Sequence, residues 1–133
     1  MGAWSKKPFG NDTALDWIGL LEESKSGFQI VENTLKRAVD ADEIDAPTAE
    51  EAVAAASIVA AASREKVGGV FKDAKRWIER AAFSPGNELK ALAIASLDKI
   101  TAGSELRDLW CESGGLASWS NEVAKIRALL VYY

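Results

Sequence analysis

The sequence AEEAVAAASIVAAA occupies residues 49–62 of this 133-residue chain. Its last eleven residues, 52–62, carry no charge, and Ser57 is the only polar side chain among them. A helix that is apolar on all sides is usually buried on all sides. Thr48 and Glu51 have the spacing of a capping box, and the small alanines allow neighbouring helices to approach closely. This stretch therefore predicts the central helix of an all-α domain.

Segments on both sides of the central helix have apolar residues at helical spacing and Gly, Pro, Asn or Ser at their ends. In chain order, the first predicted flanking helix begins at Asn11 or Asp12, and the second spans Phe28–Val39. After the central helix, one helix spans Val70–Phe83, one stops at Gly103, and a short one begins at Ser104 and ends at Gly114-Gly115. The last helix carries Trp119, Val123, Ile126 and Leu130. Trp4 and Phe9 are expected to pack against the first and last helices. The expected fold is all-α: a single compact domain, residues 1–133, of six to seven helices around the alanine-rich helix.

The chain has 16 basic and 20 acidic residues, a formal net charge of −4, and no histidine. Because phosphate neutralisation needs clustered Lys and Arg, we expect no nucleic-acid binding. Without histidine, Ser-His-Asp and Cys-His sites and every His-bearing metal site are excluded within this chain. We therefore expect a protein that is not an enzyme and that binds no cofactor and no metal.

Two features bear on where the protein is expected to reside. Cys111 is the only cysteine, so it cannot form an internal disulfide, which suits a reducing compartment. The N-terminus lacks the apolar run of a signal peptide, and the alanine-rich stretch is shorter than the ~20 residues that span a bilayer. We expect a cytoplasmic protein with no membrane insertion.

The segment Asp40–Glu51, DADEIDAPTAEE, contains six acidic residues and no basic residue. Its spacing resembles a calcium loop, but Ile44 and Asp45 stand where an oxygen donor and a glycine are required. We therefore expect a solvated acidic loop, which suits a basic partner. The candidate partner-binding residues are Asp40, Asp42, Glu43, Asp45, Glu50 and Glu51, with Glu22 and Glu23 as a second patch.

Asp12 and Asp16 would lie on one face of the first helix, beside Trp17. Such a pair could act as a general acid and base, or it could simply place carboxylates at the positive end of a helix. No phosphate loop or other substrate-binding motif accompanies the pair. We interpret both residues as capping or N-terminal carboxylates.

Two segments resemble a family of short, uncharacterised bacterial proteins. The opening Met1-Gly-Ala-Trp4, with Phe9, Asn11-Asp12, Ala14 and Asp16-Trp17, is similar to the family's Gly-Ala-Trp-Gly and F-x-N-D-x-A-x-D-W patterns. Ser104–Trp110 is similar to its closing S-E-L-x-x-L-W segment, whereas Ser5 departs from the usual glycine. The resemblance implies bacterial origin and a stand-alone helical domain of unknown function, and it brings no catalytic residue.

Small acidic single-domain bacterial proteins often serve as immunity proteins, which bind and block a toxin domain encoded beside them. By this analogy we expect an immunity protein that neutralises a cognate toxin domain, a basic nuclease, by covering its active cleft. Such a protein would be a monomer alone or a heterodimer with the toxin. The alternative is a non-catalytic housekeeping or scaffold module that binds a small ligand or self-associates.

Overall fold

A computed structural model describes residues 12–63 and 72–131 of the chain. Within these residues it contains seven helices and no strand: α1 (Asp12–Glu23), α2 (Gly27–Asp40), α3 (Ala46–Ser63), α4 (Lys72–Ala81), α5 (Asn87–Ala102), α6 (Glu105–Ser113) and α7 (Leu116–Val131). All seven contribute side chains to one hydrophobic core, so the prediction of a single all-α domain is confirmed. The predicted packing of Trp4 and Phe9 falls outside the described residues.

The alanine-rich helix α3 lies at the centre of the fold, as its composition predicts. Every residue from Ala52 to Ala60 is buried, and α3 contacts each of the other six helices in the described part of the chain. Its most extensive contacts are with α5 and α2. Because an alanine has almost no side chain, the axes of these neighbours can lie close to that of α3.

The capping box predicted at the start of α3 is wrong. The helix begins at Ala46, and the Asp45 side chain caps it by accepting a hydrogen bond from the Thr48 backbone N–H, with Oδ1 and N separated by 2.8 Å. Pro47 is compatible with the first turn, where its missing N–H would have no partner within the helix. Thr48 and Glu51 therefore lie inside α3, and the acidic segment is half loop and half helix.

The other helix ends mostly follow local signals in the sequence. Ser104 caps α6 by accepting a hydrogen bond from the Arg107 N–H at 3.1 Å, and Gly114, with φ 83°, ends that helix in the left-handed conformation. The four apolar residues predicted to face the core from the last helix, Trp119, Val123, Ile126 and Leu130, are all buried.

The end of α4 differs from the prediction. The helix stops at Ala81 instead of Phe83, and Ala82 has φ 51°, a left-handed conformation that is strained for any residue with a Cβ. Hydrogen bonds from Ala82 N to Glu79 O (3.3 Å) and from Phe83 N to Ile78 O (3.0 Å) close the helix in a Schellman arrangement. This turn directs Phe83 back into the core, where it is buried.

Candidate partner-binding groove

The loop between α2 and α3 is attached to the start of α6. Ile44 is buried, and its carbonyl accepts a hydrogen bond from the Glu105 N–H at 2.9 Å. The Glu105 carboxylate in turn accepts a hydrogen bond from the Ala46 N–H at 2.7 Å. Asp45 and Glu105 thus both cap α3, each satisfying one of the backbone donors that a helix leaves free at its N-terminus.

A lysine of α5 holds the other side of this loop. The Lys99 ammonium donates hydrogen bonds to the carbonyl of Val39, at 2.6 Å, and to the carbonyl of Ala41. These carbonyls lie at the C-terminal end of α2, where a positive charge is favourable. The loop is therefore anchored to α5 through Lys99 and to α6 through Glu105.

Between this loop and the start of α6 lies an open groove with a volume of about 710 Å³. Five carboxylates from two distant parts of the chain line it: Asp42, Glu43, Asp45, Glu105 and Asp108. No lysine or arginine belongs to its lining. We call these five residues and the space between them the acidic groove.

Three of the five carboxylates face solvent with little or no compensation. Asp42 and Glu43 are exposed and have no hydrogen-bond or ion-pair partner within residues 12–63 and 72–131. Asp108 is 72% exposed and approaches Arg107 at 3.9 Å, a surface contact that contributes little. The groove therefore presents uncompensated negative charge to any partner.

Comparison with known proteins adds one finding to this geometry. Residues 2–122 match the family described as Domain of unknown function (DUF4259). The chain belongs to this family. No curated protein and no solved structure matches it. The match agrees with the resemblance to an uncharacterised family, while the bacterial origin of this DUF4259 domain stays a prediction.

The domain brings together only part of the predicted partner-binding set. Asp42, Glu43 and Asp45 line the acidic groove, and Asp40 is exposed at the last position of α2. Glu22 and Glu23 lie at the end of α1 and do not line the groove. Sequence reasoning missed Glu105 and Asp108, because the α6 start is recognisable locally but its contact with the α2–α3 loop is not.

The expectation that Glu50 belongs to the acidic surface is wrong. Glu50 lies inside α3 and is only 4% exposed, so it cannot belong to an acidic surface. Burial is the main cause of the raised pKa of Glu50. A hydrogen bond with Thr13 lowers this pKa, and the negative charge of Asp12 raises it. The Oε2 atom of Glu50 is buried and has no hydrogen-bond partner in the described structure. Leaving such an atom unpaired costs about 1 to 3 kcal/mol.

Glu51 and Asp45 are engaged within the protein. Glu51 is half-buried and pairs with Arg37 at 3.2 Å; burial raises its pKa and Arg37 opposes the shift. Hydrogen bonds from the side chain and the backbone of Thr48 lower the pKa of Asp45. Asp45 therefore remains ionised in its capping role, and Glu51 contributes little free charge.

Two features are absent from residues 12–63 and 72–131. No group of three or more Cys, Asp or Glu side chains there is placed to hold a metal ion. None of the helices there combines the length and apolar character needed to cross a membrane.

Proposed function

We propose that this protein is an immunity protein that neutralises a cognate bacterial toxin domain, a basic nuclease, by covering its active cleft. The observation that carries the proposal is the acidic groove, in which Asp42, Glu43 and Asp108 meet without a lysine or arginine in the lining. Nucleases present basic clefts to phosphates, so a carboxylate-rich surface competes for the same Lys and Arg side chains.

The anchoring of the groove supports a recognition role. Its carboxylates stand on a loop held by Lys99 and on a helix start held by Glu105, so little conformational freedom remains to be lost on binding. Gathering like charges on a fixed framework is unfavourable in the free protein, and a cationic partner would relieve that repulsion. Long-range attraction then increases the association rate.

The deciding experiment is co-expression with the toxin domain encoded beside this gene. An immunity protein must restore growth to cells that produce the toxin, and it must co-purify with the toxin as a heterodimer. A toxin that kills equally with and without this protein would refute the proposal.

A charge-reversal variant then tests the acidic groove as the interface. Asp42→Lys/Glu43→Lys/Asp108→Lys leaves both α3 caps intact, so the fold is expected to persist. We expect association with the toxin to slow by about tenfold or more at low salt, with a weaker dependence on ionic strength. The measurement is stopped-flow or surface plasmon resonance kinetics across a salt series.

A matched control separates the groove from net charge. Asp16→Lys/Glu79→Lys/Glu88→Lys produces the same change in charge at three exposed positions outside the groove. We expect its association rate to fall much less. Equal slowing in the two triple variants would show that overall charge, and not the groove, controls association.

A further inference from the structure

A second cavity lies at the opposite end of α2 from the acidic groove, about 20 Å away along the helix axis. It has a volume of about 390 Å³, within the range of small-molecule sites. The loop from Ser24 to Ser26 and the first turn of α2 form one side, and Trp77 with residues 81–84 forms the other. We call it the aromatic pocket.

Three aromatic rings shape this pocket. The Trp77 and Phe83 ring centroids are 5.1 Å apart with the planes tilted by 47°, and the Phe28 and Phe83 centroids are 6.0 Å apart with a tilt of 58°. Trp77 and Phe83 are buried, but Phe28 is 48% exposed, which is unusual for a large apolar side chain in this fold. The exposed part of Phe28 offers a surface on which a further ring can pack at a similar distance.

The aromatic pocket carries positive charge, in contrast to the acidic groove. Its lining contains Lys25 and no carboxylate. Lys25 is exposed and has no ion-pair partner in the described part of the chain. In a protein with a net charge of −4, a cavity with one uncompensated cation and no acid is complementary to an anionic group.

The first turn of α2 adds backbone hydrogen-bond donors on the side of the pocket that contains Lys25. Ser26, the N-cap, makes no side-chain capping bond, and the turn contains no acidic residue. The first intrahelical bond is from Ile30 N to Ser26 O, so the three preceding N–H groups have no partner within the helix. These donors and Lys25 favour the same ligand group, a carboxylate.

We propose that the aromatic pocket binds a small aromatic carboxylate, with its ring against Phe28 and Phe83 and its carboxylate at Lys25 and the start of α2. This site is separate from the acidic groove and does not depend on the immunity function. It would give the protein a small-molecule ligand in addition to its protein partner.

The test is an NMR titration of the purified full chain, followed by ¹H–¹⁵N correlation spectra. The probe is 3-phenylpropionate, and the matched probe is phenethylamine, which has a similar ring but the opposite charge. We expect saturable shifts of the Gly27 and Phe28 amide signals with 3-phenylpropionate. Phenethylamine should bind up to about fivefold more weakly, since one favourable charge contact at a helix end is worth up to about fivefold.

Three variants complete the design. Lys25→Glu should weaken the binding of 3-phenylpropionate by up to about fivefold, and Phe28→Ala should weaken it about two- to tenfold through loss of the ring contact. Both side chains are exposed, so the fold should persist in each variant, which circular dichroism checks. Lys36→Glu, an exposed lysine on the outer part of α2, should leave the affinity unchanged.

Absence of saturable shifts at millimolar 3-phenylpropionate would overturn the proposal. Equal binding of phenethylamine, or unchanged affinity in Lys25→Glu, would also overturn it, because the ligand would then be recognised by its ring alone.

Discussion

Substitution of Gly27 by alanine tests the contact between the start of α2 and the Trp77 ring of α4. An added Cβ would lie 2.1 Å from Cζ2 and 2.9 Å from Cε2 of Trp77, whereas carbon atoms pack at about 3.5 to 4 Å. The indole is 3% exposed and packs against Phe83, so it has little room to move the required ~1.5 Å. Overpacking of this kind costs about 1 to 3 kcal/mol.

The opposing effect is the higher helix propensity of alanine, which contributes up to about 1 kcal/mol. The cost of overpacking should exceed the gain in helix propensity. Gly27→Ala is therefore expected to lower the free energy of unfolding by about 0.5 to 2 kcal/mol. Gly19→Ala is the matched control, because Gly19 lies in the middle of α1 with no atom within 4 Å of the added Cβ. At that position only the helix propensity changes, so the free energy of unfolding is expected to rise by about 0.5 to 1 kcal/mol.

Urea denaturation followed by circular dichroism measures both variants. Thermal melting should agree, at about 3 to 5 °C per kcal/mol for a chain of this length. In a Trp77→Leu background the clashing ring atoms are absent, so Gly27→Ala should no longer destabilise. Wild-type or greater stability of Gly27→Ala in the native background would refute the close contact between Gly27 and Trp77.

Three further predictions concern stability. Ala82→Gly should stabilise the protein by about 0.5 to 1 kcal/mol in urea denaturation, because glycine adopts the left-handed conformation at the end of α4 without strain; a loss of stability would contradict that geometry. Asp45→Ala should cost about 0.5 to 2 kcal/mol through loss of the α3 cap, while Asp42→Ala, an unpaired surface position, should change stability by less than about 0.5 kcal/mol. The raised pKa of Glu50 means that folding favours its protonated form, so its ionisation removes stability as the pH rises above the ordinary glutamate value of 4.5. The stability of Glu50→Gln relative to wild type should therefore increase over that pH range, and a pH-independent difference between their unfolding curves would argue against a buried, ionising Glu50.

The sequence by itself determined the helical class, the central position of α3 and both ends of α6. These features depend on short-range physics: an apolar run long enough to be buried, a Ser side chain that reaches an N–H three residues on, and a glycine that takes φ 83° without strain. Helical spacing of apolar residues likewise identified the buried face of α7, which consists of Trp119, Val123, Ile126 and Leu130.

Where short-range signals competed, the sequence was ambiguous. Asp45 and Thr48 are both good capping residues, and the helix begins after Asp45 because Glu105, from another part of the chain, also satisfies an N–H of its first turn. The end of α4 depends on the burial of Phe83, which makes the strained conformation of Ala82 tolerable.

Only the tertiary structure decided the composition of the two candidate sites. Glu105 meets Ile44, and Trp77 meets Gly27, through the packing of whole helices that are far apart in sequence. The same packing buries Glu50 against α1 while leaving Asp42 and Glu43 in solvent, although all three belong to one acidic segment. Charge patterning reports which residues are ionisable, but exposure and neighbours depend on how the helices pack, and that is a property of the folded chain.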